Sequence, residues 1–556
     1  MLKKVLSKGA PLKLKFDLKL KAIALSLLTA ASALTLPACS KDDGTGYIFK
    51  YDIPSNPRTL DPQTANDSSA YEIIANMFDG LLRVDNEGTV QNAVAESYTV
   101  SDDRLVYTFN LKDDVYWYDG DEFEAKCTAK DFVFAFQRLF RPSTKSRTAG
   151  DFLCIKNAEK INKGEITDLS ELGVKAEGDY KLTITLEYPN PSFLVLLTTA
   201  PAMPCNEEYY NNTDGRYGLY ADTIASNGSF YMYKWSYDPW STDNNNIIMR
   251  ANKKNSPNGE VSPYGLNFFI EEEDSYQNFI DERNHVYITS GAEAVTLLSM
   301  GYEYSENETR SWGVLFNTKS KAFKNESLRQ ALAYSISRDD AELNSVGYGK
   351  SAGVIPDAIK ISEDSYRSLA GKDSLLSYND MTAKSKMDTA LNTVNVSSLS
   401  GLTLYTPDDE TIYEYVSDIA QKWQSELNFY CNVKALSPSD YENVLTSGNF
   451  DFIIADISGN TNSPYSYLSA FISGGSGNYS GYGNTKFNET ITAAENAPTA
   501  KESAELFYEA EQIITETAVF IPLLHQSEYA FFKEDSEGII YNSFTKTVIF
   551  KEAKQF

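Results

Sequence analysis

Histidine is almost absent from this chain of 556 residues, which contains only His285 and His525. Neither residue stands in a recognisable motif, so Ser-His and Cys-His catalytic pairs and histidine metal centres have little to be built from. Acidic residues are so numerous that chance pairs of carboxylates are expected, and such pairs alone do not indicate a glycosidase. The sequence therefore predicts no catalytic residue, no metal site and no cofactor, and an enzyme is not expected.

Cysteine is scarce as well, with five in the whole chain. None belongs to a C-x-x-C pair, and their spacings fit no zinc motif. A disulfide between Cys154 and Cys205 is one alternative for an exported chain. The favoured alternative is that Cys127, Cys154, Cys205 and Cys431 are dispersed thiols, most of them buried.

Basic residues are outnumbered, because 50 Lys and Arg face 77 Asp and Glu and give a formal net charge of −27. Nucleic-acid binding needs a basic face for the phosphates, so this charge argues against it. It argues equally against electrostatic attraction to anionic lipid. Aromatic residues are abundant, with 37 Tyr and 29 Phe, which suits either the lining of clefts or large cores.

Long apolar runs are lacking too: the run from Ala22 to Leu36 is shorter than the ~20 residues that span a membrane. It follows a lysine-rich start, so residues 1–38 are predicted to be a signal peptide and no part of the fold. The following Pro37-Ala38-Cys39 resembles a lipobox, in which the cysteine becomes diacylated. Pro37 departs from the commoner residues at its position. Lipidation of Cys39 is the favoured interpretation, and an ordinary signal peptide with an incidental cysteine is the alternative.

Short motifs are concentrated between Ser55 and Pro142. Apolar residues at helical spacing after Ser68 predict a helix, and alternation from Leu105 to Trp117 predicts two strands. Thr128-Ala-Lys-Asp131 is a capping box that begins a second helix. The motifs follow one another as Pro57 to Pro62, Asn76 to Leu81, Ala95 to Asp103, Tyr107 to Leu111, Asp119-Gly120 and Thr128 to Phe132.

In sequence and order these six motifs closely resemble the peptide-binding lipoproteins of bacterial ABC importers, the family 5 extracellular solute-binding proteins. A second match lies well downstream, where Phe316 to Asp340 reads FNTKSKAFKNESLRQALAYSISRDD. It departs from the family pattern at Ala322 and Ser337. Because the two matches are independent, the chain is identified as a member of this family.

The resemblance implies an α/β, periplasmic-binding-protein-like fold with two lobes, an extra α/β subdomain inserted in the first lobe, and hinge strands between the lobes. The segments near Phe316 and Phe520 are expected to pass between the lobes. The second lobe is predicted to hold a mostly parallel sheet, and Lys181 to Leu186 is predicted to be an edge strand. The expected divisions are 1–38 (signal peptide), 39–84 (start of lobe I with the lipid tether), 85–215 (inserted subdomain), 216–315 (lobe I), 316–518 (lobe II) and 519–556 (return to lobe I).

The resemblance also implies capture without chemical change, in which the lobes close on an extended oligopeptide by hinge motion. The implied partners are an oligopeptide or other small solute, and the permease and ATPase subunits of an ABC importer. A lipid-anchored monomer on the outer face of the bacterial cytoplasmic membrane is expected. Two alternatives stay open: a receptor of the same fold for an oligosaccharide or metal chelate, and a surface adhesin or signalling-peptide sensor without transport.

The chain departs from the family in the loop after Ile454, where family members carry an Asp that meets the α-ammonium of the peptide. Asn460 or Ser463 stands at that position here. Either Asp456 substitutes through a shifted backbone, or the ligand lacks a free N-terminus, or the ligand is not a peptide. Loop position selects candidate ligand-binding residues, although Asn, Ser and Asp populate turns in any case. The candidates are Asn66, Asp67, Asn227, Asp456, Ser458, Asn460, Asn462, Ser463 and Tyr465.

Overall fold

The computed structural model describes residues 46–556 except 86–87, 191–192, 242–243, 256–262, 271–273, 338–346, 362–363, 372–375, 395–398, 460 and 476. The predicted signal peptide and Cys39 lie outside the described residues. None of the helices in the described part of the chain has the length and apolar character needed to cross a membrane.

The described helices are α1 (Ser68–Met77), α2 (Ala129–Phe140), α3 (Ala158–Asn162), α4 (Phe193–Leu196), α5 (Glu207–Asn212), α6 (Ser275–Ile280), α7 (Gly291–Met300), α8 (Glu326–Tyr334), α9 (Tyr366–Ala370), α10 (Asp380–Leu391), α11 (Glu410–Leu427), α12 (Pro438–Ser447), α13 (Pro464–Leu468), α14 (Thr485–Glu495) and α15 (Ala500–Glu516). The described strands are β1 (Ile48–Ile53), β2 (Leu82–Val84), β3 (Val90–Asn92), β4 (Ala95–Val100), β5 (Val106–Leu111), β6 (Tyr116–Tyr118), β7 (Glu124–Lys126), β8 (Val174–Ala176), β9 (Lys181–Thr185), β10 (Phe230–Ser236), β11 (Asn246–Ala251), β12 (Gly265–Ile270), β13 (Val286–Thr289), β14 (Glu303–Phe316), β15 (Tyr348–Lys350), β16 (Lys360–Ile361), β17 (Asp364–Ser365), β18 (Thr403–Pro407), β19 (Asn432–Leu436), β20 (Phe452–Ser458), β21 (Phe520–Phe532), β22 (Ser536–Glu537), β23 (Ile540–Asn542), β24 (Thr547–Ile549) and β25 (Lys554–Gln555).

The first lobe is built on two four-stranded sheets, ordered β1-β12-β11-β10 and β4-β5-β9-β8. The prediction that Lys181 to Leu186 forms an edge strand is wrong, because the short strand β8 pairs with the outer side of β9. The two strands predicted between Leu105 and Trp117 both form. They do not pair with each other, however: β5 lies between β4 and β9, whereas β6 pairs with β7.

Two of the sequence motifs have a direct structural explanation. Thr128 and Asp131 form the predicted capping box at the start of α2. Further along α2, the guanidinium of Arg138 donates to both carboxylate oxygens of Asp61, at 3.1 and 2.5 Å, and to the amide oxygen of Gln63 at 2.7 Å. The opening motif is therefore fixed against α2 by a buried, bidentate ion pair.

The second lobe is organised around a seven-stranded sheet, ordered β13-β21-β14-β20-β18-β19, with β15 also paired to β21. Successive side chains point to opposite faces of a strand, and the sheet accordingly has a core on each face. Phe452 and Ile454 join one core, whereas Ile453 and Ala455 join the other. Helices cover both faces, which makes this lobe a three-layer α/β/α structure.

This sheet is not mostly parallel, which corrects the sequence prediction. Among the described strands, β18 runs parallel to β19 and β20, but β14 pairs antiparallel with both β20 and β21. The reason is connectivity: β14 carries the chain from the first lobe into the second, and β21 carries it back. Two strands that cross the same junction in opposite directions pair antiparallel.

The strands β14 and β21 are the hinge strands that the resemblance implied near Phe316 and Phe520. In β21, Ile521 belongs to a second-lobe core and Ala530 to the first-lobe core. The chain then stays with the first lobe, because Val548 and Phe550 are also part of that core.

Candidate functional site

A cavity of about 620 Å³, here called the cleft cavity, opens between the two lobes. The first lobe contributes a wall formed by Asp151, Cys154 and the turn at Tyr188–Asn190. The second lobe contributes the end of β20, the loop that follows it, and the last residue of α14. A smaller cavity of about 270 Å³ adjoins it and shares Asp151, Leu196 and Thr461.

Three of the nine predicted ligand-binding residues line the cleft cavity: Asp456, Ser458 and Tyr465. Asp456 and Ser458 lie at the end of β20, and the Ser458 hydroxyl donates to the Asp456 carboxylate at 2.8 Å. Tyr465 lies in the first turn of α13. The structure therefore brings these three side chains together at the position that the loop pattern indicated.

Two further predicted residues shape the loop itself. The Asn462 side chain accepts the backbone N–H of Lys360 at 2.9 Å. Ser463 is the N-cap of α13 and accepts the backbone N–H of Tyr465 at 3.3 Å. Both side chains are thus engaged in holding the loop, and Asn460 lies outside the described residues.

The remaining predicted residues, Asn66, Asp67 and Asn227, are not among the described residues that line either cavity. Asp67 caps α1, accepting the backbone N–H of Ala70 at 2.8 Å. Asn227 is fully buried and bonds both the N–H and the C=O of Asp79, at 3.2 and 2.8 Å. In these positions the side chains of Asp67 and Asn227 satisfy backbone groups of the first lobe.

The loop after β20 is held close to the hinge. The Tyr467 hydroxyl donates to the backbone carbonyl of Thr309 on β14 at 2.8 Å. Gly459 passes so near to α13 that a Cβ atom there would lie 2.3 Å from the Ser466 hydroxyl and 2.5 Å from the Tyr467 ring. A larger residue at this point would force the Ser466 hydroxyl and the Tyr467 ring to move.

Asp151, Tyr188, Thr461 and Glu495 are among the polar residues of the cleft cavity that sequence reasoning missed. Burial raises the pKa of the Glu495 carboxyl to about 8. Burial and, second to it, the charge of Glu495 raise the pKa of Tyr465 to about 12. Thr461 stands in the loop after β20, between the predicted residues Asn460 and Asn462, and loop position could have indicated it. Asp151, Tyr188 and Glu495 belong to no motif, and only the fold brings them to this cavity.

The described cysteines, Cys127, Cys154, Cys205 and Cys431, are free thiols, as the favoured interpretation predicted. Cys154 faces the cleft cavity, whereas Cys205 accepts a hydrogen bond from Arg138 in the first-lobe core. In the described part of the chain no three His, Cys, Asp or Glu side chains are grouped so as to hold a metal ion. What the cavity offers a ligand is hydrogen bonding, aromatic surface and negative charge.

The family model for "Bacterial extracellular solute-binding proteins, family 5 Middle" matches residues 89–479, which is more than half of the chain. The chain belongs to this family. The dipeptide-binding protein of Lactococcus lactis subsp. cremoris (strain MG1363) is 26% identical to it over 544 residues, covering 94% of this chain and 97% of that protein. The oligopeptide-binding protein OppA of Bacillus subtilis (strain 168) is 25% identical over 528 residues, covering 92% and 93% respectively.

Solved structures share the architecture of this family 5 protein. The pheromone receptor PrgZ, whose structure is described together with its mode of peptide binding, superposes with a TM-score of 0.71 at 22% identity. The superposition covers 92% of this chain and 100% of that one. This likeness confirms the predicted two-lobed mixed α/β fold, and it shows the fold alone.

Proposed function

We propose that this family 5 protein captures oligopeptides in the cleft cavity and delivers them to the permease of an ABC importer. The observation that carries the proposal is the position of the cavity, which takes its walls from both lobes. Asp456, Ser458 and Tyr465 are the predicted residues that we expect to contact the peptide. An extended peptide can bind beside the end of β20 through its backbone groups, as an added strand does.

The relatives support a peptide as the ligand, because the two reported above are named as dipeptide- and oligopeptide-binding proteins. The lining of the cavity is compatible with this. Hydroxyl groups of Ser458, Ser469 and Tyr479 lie beside apolar residues such as Leu315 and Phe471. Such a mixed wall accepts side chains of different kinds, whereas the backbone is the part that all peptides share.

We further propose that the protein is a monomer held on the outer face of the cytoplasmic membrane by lipid on Cys39. Two or more acyl chains on one cysteine suffice for stable anchoring where a single chain is marginal. Separation of membrane and soluble fractions tests this, since a Cys39→Ala variant should move to the soluble fraction. Retention of that variant in the membrane would contradict a lipid anchor at this residue.

The peptide proposal is tested by a thermal-shift screen of the purified chain against random tripeptides and pentapeptides, with oligosaccharides and metal chelates as competing ligands. Peptides should raise the melting temperature, because a ligand that binds only the folded state stabilises it by mass action. A Ser458→Trp variant, which fills the cavity wall, should lose the shift. A shift with a sugar or a chelate and none with any peptide would contradict the proposal.

A further inference from the structure

The cleft cavity is lined by acidic side chains that have no basic partner in the described part of its wall. Three of its lining residues are acidic: Asp151 from the first lobe, and Asp456 and Glu495 from the second. Among the described residues of its wall there is no Lys, Arg or His. The walls of a cleft of low dielectric focus such a field, so a cationic group gains more there than on the open surface.

Glu495 is the acid whose position is least favourable without a ligand. It is the last residue of α14, where the negative end of the helix dipole opposes a carboxylate. No cation and no hydrogen-bond donor among the described residues contacts its side chain. Burial alone accounts for the rise of its pKa to about 8. Asp456, by comparison, receives the hydroxyl of Ser458.

Aromatic and polar groups from both lobes surround Glu495. Three of these groups lie near enough to feel its charge: Tyr188 and Cys154 from the first lobe, and Tyr465 from the second. In each of them burial raises the pKa, and the charge of Glu495 raises it further. Thr461 also lines the cavity, and its hydroxyl, on a residue only 3% exposed, has no hydrogen-bond partner among the described residues. A buried hydroxyl without a partner is costly unless a ligand supplies one.

We propose that Glu495, with Tyr188 and Tyr465 beside it, binds a positively charged group of the captured peptide. The carboxylate supplies the charge-assisted hydrogen bond, and the rings supply faces over which an ammonium or guanidinium is attracted. The group is a Lys or Arg side chain or the α-ammonium, which share this chemistry. The inference rests on the proposed function, because it names the part of the captured peptide that the cleft cavity recognises.

Isothermal titration calorimetry of the full chain with four peptides tests the inference and separates the two sources of positive charge. The peptides are alanine pentapeptides with a central lysine or its neutral analogue norleucine, each with a free or an acetylated N-terminus. Removing the recognised charge should weaken binding to the unmodified protein about tenfold or more. In Glu495→Gln the same removal should change the affinity less than about twofold.

Glu489→Gln is the matched control, because Glu489 lies on the same helix, is exposed and does not line the cavity. In Glu489→Gln, removing the positive charge of the peptide should weaken binding as much as it does in the unmodified protein. If the lysine peptides bind more tightly than the norleucine peptides, the recognised charge is that of the side chain. If the peptides with a free N-terminus bind more tightly than the acetylated ones, it is that of the α-ammonium. Equal affinities for all four peptides would overturn the inference and leave peptide capture intact, whereas binding of none would overturn both.

Proton release gives a second readout that a merely structural role of Glu495 would not produce. A carboxyl with a pKa of about 8 is largely protonated at pH 7 and must ionise to bind a cation. Among its neighbours, the pKa of Cys154 is about 11 and that of Tyr465 about 12, and the pKa of Tyr188 is raised too, so none of them ionises near pH 7. Of the other acids in the wall, burial raises the pKa of Asp151.

Titrations at pH 7 in two buffers of different ionisation enthalpy measure this release. Binding of a peptide that carries the positive charge identified by calorimetry should release about one proton from the unmodified protein, less the fraction of Glu495 already ionised. The release should vanish in Glu495→Gln and persist in Asp151→Asn. An equal proton release in the Glu495→Gln variant would overturn the assignment of the charge to this residue.

Discussion

Arg138 is the residue on which the packing of the opening motif depends most directly. Its side chain is 3% exposed and that of its partner Asp61 is 7% exposed, and the guanidinium lies 4.0 Å from the centre of the Tyr210 ring. Removing one member of a buried pair leaves an uncompensated charge, which costs more than the pair itself contributes.

Replacement of Arg138 by Met should therefore lower the free energy of unfolding by about 3–5 kcal/mol. The double variant Asp61→Asn/Arg138→Met removes both charges and should be more stable than Arg138→Met alone. Urea unfolding followed by circular dichroism measures both effects. The control is Lys163→Met, which breaks an exposed pair with Glu159 and should lower the stability only slightly, because water screens the two charges. A loss of that small size at Arg138 would contradict the argument.

The Asp61–Arg138 pair also shows how much of the packing can be predicted from the sequence. The motif containing Asp61 could be found by eye, but its partner on α2 could not, because an ion pair between residues so far apart in sequence depends on the fold. The same applies to the cleft cavity. Asp456, Ser458 and Tyr465 stand in one loop that the family pattern marks, whereas Asp151 and Glu495 meet only after both lobes have formed.

At the scale of elements, the pairing of the two hinge strands is interrupted by two register shifts, and the second of them lies between Trp312 and Gly313. Gly313 of β14 lies opposite Pro522 of β21, whereas the preceding Trp312 lies opposite Leu524. One extra residue, Leu523, is thus accommodated as a bulge. Proline cannot donate to a strand ladder, and bulges are where sheets tolerate it.

Gly313→Ala should destabilise the protein by about 1–3 kcal/mol, the usual cost of overpacking a filled site. A Cβ atom at this position would lie 2.3 Å from the carbonyl oxygen of Ile521 and 2.5 Å from the Phe520 ring. Gly349→Ala is the matched control, since Gly349 also pairs with β21 but its Cβ would come no nearer than 3.6 Å to Glu308. Thermal unfolding compares the two variants, and equal melting temperatures would refute the close-packing argument.

Local sequence pattern predicts only part of the hinge strand β14. The apolar half of β14, from Trp312 onward, was predicted, but its polar half, Glu303–Arg310, was not. Those residues are held by pairing with β21, where the Glu306 carboxylate accepts the hydroxyls of Ser527 and Tyr529 at 2.7 and 2.8 Å. Because pairing with β21 stabilises this half of β14, its residues need no hydrophobic alternation. Periodicity in the sequence therefore could not indicate this part of the strand.

At the scale of the whole molecule, carboxylates of β14 form side-chain contacts with β21 along the two strands that join the lobes. Beside the Glu306 contacts, Glu308 on β14 meets His525 on β21 at 3.1 Å. Burial raises the pKa of Glu308, but the hydrogen bond and charge of His525 outweigh it and hold the pKa below its usual value. Polar cross-links of this kind keep the strands in register while leaving the apolar cores on either side separate, as hinge motion requires.

Small-angle X-ray scattering of the full chain, with and without a saturating peptide, tests capture by closure. Closing the lobes should reduce the radius of gyration, because it brings two masses that hinge strands join closer together. A peptide that shows no heat of binding serves as the control and should leave the scattering unchanged. The Glu495→Gln variant, saturated with a peptide that it still binds, should contract to the same extent, because Glu495 adds affinity and the hinge strands set the geometry. Saturation without any contraction would mean that the cleft binds its peptide as a rigid groove, and the importer would then have to recognise the peptide itself instead of the closed pair of lobes.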